Sequence, residues 1–274
     1  MAESYSESAA EVGDGQRFFT DETFKWIGIA ISGLFTIAVV AFLGVILLDK
    51  VDYSLLEQVA PQFVNPFLLV LFIFVVSAAL AVIGGIFVGL GRVSRTGFTH
   101  RITTGYVEFF RGTPLLFQLI VVYFGIPGLW PGTFPISNWE VPAAVIGLTL
   151  NHAAYIGEAV RGGIDAVPPG QQEAARSLGM SYTQSMREVV LPQAWRNALA
   201  AIGNDLVILI KDTSLLTLIA VPELINQFRT VYSTNFDAWT PIVLVAVAYL
   251  VLTIPLGYLV RRLESRSDWG GEHQ

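Results

Sequence analysis

Long uncharged stretches rich in apolar residues recur along the chain and are separated by short polar segments. A helix needs about 20 apolar residues to cross the roughly 30 Å hydrocarbon core of a bilayer. Stretches of that kind cover residues 26–48, 66–91, 112–139, 141–157 and 238–260. A sixth stretch, residues 197–221, is apolar but contains charged side chains. The pattern predicts an all-α protein, a polytopic bundle of about six transmembrane helices.

The third stretch is too long for a single membrane-crossing helix. Turn-forming residues cluster within it at residues 125–128 and 130–132, where glycine and proline alternate with apolar residues. Such clusters are typical of a loop between two helices. We therefore place the third span at residues 103–125 and the fourth at residues 140–160.

Composition agrees with this interpretation. Only 14% of the 274 residues are charged, whereas about a quarter of the residues of a soluble domain are charged. There is no Cys, and the three His residues are scattered, so we expect no disulfide and no metal site. His152 alone lies inside an apolar stretch, where we expect it to make a structural hydrogen bond.

Much of the negative charge lies at the start of the chain. Residues 1–23 hold six acidic residues against one arginine, which predicts a disordered, acidic leader. This leader lacks the basic start and the small-residue cleavage site of a secretory signal peptide. We expect residues 24–48 to form an extra N-terminal span with an anchoring or packing role, and residues 265–274 to form a polar tail.

Lysine and arginine residues predict the orientation in the membrane. With a cytoplasmic N-terminus, the inner segments hold 12 of the 16 basic residues and the outer loops hold only Lys50 and Arg229. Positive residues concentrate on the cytoplasmic side of membrane proteins. We therefore predict a multi-pass protein of the plasma or inner membrane with both termini in the cytoplasm.

The longest inner loop, residues 161–196, has the sequence features of two short helices. Residues 168–170 read Pro-Pro-Gly and interrupt the helix that leaves the membrane. Residues 171–178 can form two turns of helix, and Gly179 suits the C-terminal end of that helix. Ser181 and Gln184 have the spacing of a capping box, which starts a second helix. Pro192 is expected to end or bend it.

The same loop resembles the signature segment of ABC-importer permeases. Its elements are Glu173-Ala174-Ala175, then Gly179, then Leu191-Pro192, with Val189 where isoleucine is commoner in that family. The resemblance extends over residues 66–264. This part of the chain resembles the polar amino-acid subgroup of the binding-protein-dependent transport family. It covers Glu108 to Leu116, Asn151 to Ile164, Gly203 to Asp205 and Lys211 to Leu215. The extra N-terminal span lies outside this five-helix permease core.

The resemblance implies a membrane-spanning permease subunit of an ATP-driven amino-acid importer. In that family the loop, here residues 170–192, docks into a separate ABC ATPase dimer, which binds ATP and Mg²⁺. The implied partners are that ATPase, an extracellular substrate-binding protein and a second permease, either another copy or a paralogue. No phosphate-binding loop or hydrolase motif occurs in this chain, so we expect neither an enzyme nor a bound cofactor. We expect no nucleic-acid partner.

Charged side chains inside the predicted spans must be shielded from lipid. A charged residue at a helix centre costs about 2.5–3.5 kcal/mol on insertion, and the fifth span contains Asp205, Lys211 and Asp212. These three do not share one helical face, so at least one must pair with another helix or line the pathway. The predicted pathway set, as a hypothesis, is Asn204, Asp205, Lys211, Asp212, Thr213 and Ser214.

Two further pairs of charged residues have the three-residue spacing of helical ion pairs. They are Glu108 with Arg111 and Glu158 with Arg161. We interpret them as ion pairs that join helices near the inner membrane surface.

Two alternatives to the importer remain open from the residues. An ion-gradient-driven secondary transporter would use Asp205 or Asp212 as its coupling site and would transport without a partner. A non-transporting membrane scaffold would use the same charges to hold helices together. Glutamine, arginine, glutamate and cystine all remain possible substrates.

Overall fold

The computed structural model describes residues 21–267, and every regular element in that range is a helix. The all-α prediction is therefore confirmed for the described part of the chain. The predicted leader and tail lie largely outside it. The α-helices are α1 (Asp21–Val45), α2 (Tyr53–Val59), α3 (Val64–Arg92), α4 (Gly97–Gly112), α5 (Leu115–Ile120), α6 (Ile126–Leu129), α7 (Glu140–Asp165), α8 (Pro169–Ser177), α9 (Tyr182–Ser185), α10 (Leu191–Asp212), α11 (Leu224–Asn235) and α12 (Trp239–Ser267).

Short 3₁₀ and π turns join several of these helices end to end. Two 3₁₀ segments, Ala60–Phe63 and Thr213–Ile219, follow α2 and α10. Widened π turns follow α1, α5 and α9 at Ile46–Lys50, Val121–Gly125 and Met186–Val190. The helical runs are therefore longer than the individual α-helices.

The described residues fall into two units, which divide after Asp52. The first contains α1 and its π turn. Its helical run, Phe24–Lys50, is 27 residues long and apolar enough to cross a membrane. Its large apolar side chains are exposed, as lipid-facing side chains are in a membrane helix.

The second unit contains the remaining helices. Two of its helical runs, Tyr53–Arg92 and Trp239–Ser265, are long and apolar enough to span the membrane. The pair of Gly97–Gly112 with Leu115–Leu129 meets the same criterion together, although it is bent by 105°. Helices α7 and α10 have 26 and 22 residues, which is enough to cross about 30 Å of hydrocarbon. Both carry polar side chains that pack inside the unit.

The prediction of one continuous third span over residues 103–125 is wrong. The chain breaks between α4 and α5, where Thr113 has an extended backbone with φ −118° and ψ 146°. Pro114 explains the break, because its ring disfavours the helical conformation of the preceding residue and it has no N–H to donate.

Helices α3 and α7 approach one another closely through small residues. A Cβ atom added to Gly85 would lie 2.4 Å from a methyl carbon of Ile156, and one added to Gly89 would lie 2.7 Å from the Gly157 carbonyl oxygen. Backbones that approach this closely are typical of small-residue spacings in membrane helices. Gly85 and Gly89 therefore permit the close packing of α3 against α7.

Three apolar clusters hold the second unit together. One centres on Ile156 and Leu209, where α7 and α10 meet. A second centres on Leu119 and Leu148 and joins α5 to α7. The third includes Val231 and joins α11 to α2, α3 and α12. The polar site described below lies among α4, α5, α7 and α10.

A buried glutamate begins α11. Glu223 has no exposed surface, and its carboxylate accepts hydrogen bonds of 2.8 Å from the backbone N–H groups of Ile225 and Asn226. It lies in the connection between Ile219 and α11, outside the predicted spans. Burial raises the pKa of Glu223 to about 7, against the opposing effect of those two N–H donors.

Candidate functional site

The loop of residues 161–196 contains the two short helices that its sequence predicts. Helix α8 ends at Ser177, and Gly179, two residues later, has a φ of +88°. The N–H of Gly179 donates to the Arg176 carbonyl, and that of Met180 to the Ala175 carbonyl at 3.2 Å. These bonds form a glycine-terminated helix end, so the predicted role of Gly179 is confirmed.

The predicted capping box at the start of α9 is also confirmed. The Ser181 side chain accepts from the Gln184 backbone N–H at 3.3 Å, and the Gln184 side chain accepts from the Ser181 N–H at 2.9 Å. Pro192 does not end the helix. It lies in the first turn of α10, directly after the π turn Met186–Val190. A proline ring does not fit a regular α-turn, and a widened turn relieves the conflict.

One face of α8 is exposed and apolar. Leu178 is 82% exposed and Ala174 on the same face is also exposed, whereas Ala175 is buried against the loop. Glu173 is exposed beside them. A small apolar surface with a charged rim is suited to contact with another protein.

Inside the helix bundle, His152 lies between two carboxylates of α10. Its Nδ1 atom is 3.0 Å from the Oδ2 atom of Asp205, and its Nε2 atom is 3.4 Å from the Oδ2 atom of Asp212. Asp205 and Asp212 are seven residues apart and therefore lie on the same face of the helix. The imidazole is 1% exposed, and it sits about midway along α7. The hydrogen bond expected of His152 is present.

These three residues line a cavity of about 460 Å³. Its wall is completed by Arg111 at the end of α4, by the Thr113–Pro114 break, and by Asn151 and Tyr155 of α7. The guanidinium carbon of Arg111 lies 5.3 Å from the centre of the Tyr155 ring, within the range of a cation–π contact. Cationic and anionic groups thus line the same cavity.

The other predicted pathway residues do not line this cavity. Lys211 and Asn204 are exposed on other faces of α10, and Ser214 is partly buried. Thr213 is fully buried and donates to the Ile210 carbonyl at 2.7 Å. Of the predicted pathway set, only Asp205 and Asp212 are brought together at the cavity.

A network of charges lies next to the cavity, centred on Glu158. The Glu158 carboxylate lies 2.6 Å from Arg161 in its own helix, 3.2 Å from Arg92 of α3 and 3.8 Å from Arg111 of α4. Arg161 also pairs with Asp165.

The charge network differs from the sequence-based hypothesis at one pair. Arg111 contacts Glu158 on another helix, and Glu108 takes part in no ion pair with a described residue. Glu158 links three helices, because its own partner Arg161 lies in α7 while Arg92 and Arg111 lie in α3 and α4.

Two amide side chains make hydrogen bonds at the break between α4 and α5, beside the cavity. Gln118 donates to the Phe110 carbonyl at 2.9 Å and to the Thr113 carbonyl at 3.1 Å. Asn151 donates to the Phe110 carbonyl and to the Gln118 side-chain oxygen. Carbonyl groups released by a break inside a membrane must find such partners, so these buried amides stabilise the break.

Sequence reasoning missed the position of His152 in the site and the roles of Gln118 and Asn151. One available signal was the seven-residue spacing of Asp205 and Asp212, which places both carboxylates on one helical face. Two acidic groups on one face within a span require a polar partner on a neighbouring helix. His152 is the histidine that lies inside an apolar stretch.

Residues 81–269 match the family of inner membrane components of binding-protein-dependent transport systems. The chain belongs to that family.

Its relatives within the family include amino-acid permeases. It is 35% identical over 207 residues to the probable amino-acid permease protein YxeN of Bacillus subtilis (strain 168), covering 76% of this chain and 92% of the relative. It is 34% identical over 217 residues to the arginine transport system permease protein ArtQ of the same organism, covering 79% and 97%. A crystal structure of an amino acid ABC transporter with histidines superposes with a TM-score of 0.72 at 32% identity, covering 79% of this chain and 99% of that one.

Proposed function

We propose that this chain is the membrane-spanning permease subunit of an ATP-driven, binding-protein-dependent amino-acid importer. The observation that carries the proposal is the exposed apolar face of α8, formed by Ala174 and Leu178, at the position where the family signature occurs. Family membership and the amino-acid permeases among the relatives support the same function. They favour it over an ion-gradient-driven transporter and over a scaffold.

In this proposal a separate ATPase dimer binds the segment of residues 170–192. Glu173, Ala174, Ala175 and Gly179 form the docking helix and its end, and Leu191-Pro192 joins it to the membrane helix. ATP and Mg²⁺ belong to the ATPase subunit, so this chain is not itself the enzyme.

The loop is mechanically connected to the cavity. From Tyr182 to Asp212 the chain is helical without a break, through α9, the π turn and α10. The same helical run therefore begins next to the docking surface and carries Asp205 and Asp212 in the half that is farther from that surface. A displacement of the loop by the ATPase would move both carboxylates relative to His152 on α7, which would change access to the cavity.

The remaining partners and the orientation follow from the same assignment. The permease works as a dimer with a second copy or a paralogue, and an extracellular binding protein delivers the substrate to the outer loops. Both termini lie in the cytoplasm, with residues 66–264 as the transport domain and residues 24–48 as an added span. The acidic leader of residues 1–23 and the tail of residues 265–274 are cytoplasmic in this arrangement.

Co-purification with ATPase subunits of the same organism tests the docking surface. We expect the wild-type chain to retain the ATPase, and Glu173→Lys, Leu178→Asp and Gly179→Trp to lose it while remaining inserted in the membrane. Glu22→Lys, which makes the same charge change outside the loop, serves as the control. Equal retention of the ATPase by all four variants would contradict the docking assignment.

Reconstitution in proteoliposomes separates the importer from the gradient-driven alternative. With the ATPase and the binding protein present, amino-acid uptake should require ATP and should persist when ion gradients are dissipated. Uptake by this chain alone that follows an ion gradient would overturn the proposal.

A further inference from the structure

The anionic end of the cavity carries one net negative charge. Both ring nitrogens of His152 face carboxylate oxygens, at 3.0 Å and 3.4 Å. A bare ring nitrogen would repel a carboxylate, so each contact needs a proton, on the ring or on the carboxyl group. With one proton in each contact, His152, Asp205 and Asp212 together hold a single negative charge.

The cationic end, at Arg111, belongs to a network with one net positive charge. Arg111 shares Glu158 with Arg92 and Arg161, and it is the most distant of the three at 3.8 Å. Among the described residues, Asp165 supplies the only further carboxylate in this network, through Arg161. Three guanidinium groups against two carboxylates leave an excess positive charge, and Arg111 is the member that lines the cavity.

Polar atoms at both ends are available to a ligand. The Arg111 side chain is 41% exposed and that of Asp212 is 29% exposed. The Nε2 atom of His152 faces Asp212 at 3.4 Å, the longer of its two carboxylate contacts.

We infer that this cavity selects amino acids with uncharged side chains, holding the carboxylate group at Arg111 and the ammonium group at Asp212. The inference rests on the proposed import function and adds the charge class of the substrate. The net charges of the two ends sum to zero, so each of the two charges of a bound zwitterion meets one charge of opposite sign. A lysine-like or glutamate-like side chain would bring an unpaired charge into a poorly solvated site, which is costly.

The volume agrees with a ligand of this size. A cavity of about 460 Å³ lies within the range of about 300–1,000 Å³ that is usual for small-molecule sites. His152 acts as a positioning residue, because its contacts to both carboxylates fix the orientation of Asp212.

Binding to the purified full-length chain in lipid nanodiscs tests the inference without the selectivity of a binding protein. Saturation-transfer NMR would compare glutamine, arginine and glutamate up to millimolar concentrations. We expect glutamine to bind at least about tenfold more tightly than either charged amino acid.

Variants that change the balance should change the preference in opposite directions. Asp212→Asn removes the carboxylate assigned to the ammonium group and should shift the preference toward glutamate. Arg111→Gln leaves an excess negative charge and should shift it toward arginine. Asp212→Glu keeps the charge and should keep the glutamine preference. Glu108→Gln, on the same helix as Arg111 but outside the cavity lining, is the matched control and should bind like wild type.

The outcomes separate the two proposals. If no amino acid binds to wild type, the assignment of this cavity to amino-acid transport fails, and the charge inference fails with it. If amino acids bind but arginine or glutamate is preferred, or if Asp212→Asn and Arg111→Gln shift the preference in the same direction, the charge inference fails and the import function stands.

Discussion

The close contact between α3 and α7 yields a prediction that can be worked out from distances. In Gly89→Ala the new Cβ atom would lie 2.6 Å from the Cβ atom of Val160 and 2.7 Å from the Gly157 carbonyl oxygen. Ordinary contacts of such atoms begin near 3.4 Å. A backbone oxygen cannot rotate away as a side chain can, so the two helices must separate locally.

The size of the effect follows from two opposing terms. Overpacking of a close interface costs about 1–3 kcal/mol, while alanine is favoured over glycine inside a helix by about 1 kcal/mol. The net loss is therefore up to about 2 kcal/mol. For a chain of this size, such a loss lowers the midpoint temperature Tm by roughly 4–8 °C.

The assay is thermal unfolding of the detergent-purified protein, followed by size-exclusion chromatography after heating. Gly105→Ala on α4 is the control, because a Cβ atom there has no neighbour within 4 Å, and it should match or exceed the wild-type Tm. If Gly89→Ala proved as stable as Gly105→Ala, the steric reasoning about this helix pair would be refuted.

Three further predictions concern other parts of the molecule. The pKa of Glu223 is raised from 4.5 to about 7, so the protonated side chain stabilises the folded state at pH 4 and this stabilisation is lost as the pH rises to 7. Tm should therefore fall over that interval in wild type but less in Glu223→Gln. Ser181→Ala removes the helix cap and should accelerate amide hydrogen exchange at Gln184 about fivefold, for a loss of about 1 kcal/mol, whereas Thr183→Ala should not. Gln118→Leu removes the side-chain donor to the Thr113 carbonyl and the acceptor of the Asn151 amide and should cost about 1–3 kcal/mol, read from Tm, and an unchanged Tm would contradict that role.

Features that depend on neighbouring residues were predictable from the sequence. The capping box of Ser181 and Gln184 and the end of α8 before Gly179 each involve bonds spanning only a few residues.

Features that depend on distant residues were not predictable. His152 meets Asp205 across 53 positions of the chain, and nothing in a single sequence shows which helices become neighbours. The break at Thr113–Pro114 was a different case, because the proline was visible. The span predicted from hydropathy nevertheless runs through this proline, because hydropathy measures the length of an apolar stretch and does not detect a change in its direction.

The broken span also has a mechanical consequence. In an intact helix, rotation of one half against the other would rupture main-chain hydrogen bonds in a medium that offers no replacement. Between α4 and α5 the helical main-chain hydrogen bonds are absent. The carbonyl groups of Phe110 and Thr113 instead accept hydrogen bonds from the side chains of Gln118 and Asn151. Thr113–Pro114 is therefore where the span changes direction, and the hydrogen bonds of Gln118 and Asn151 to Phe110 hold the ends of α4 and α5 against α7 there.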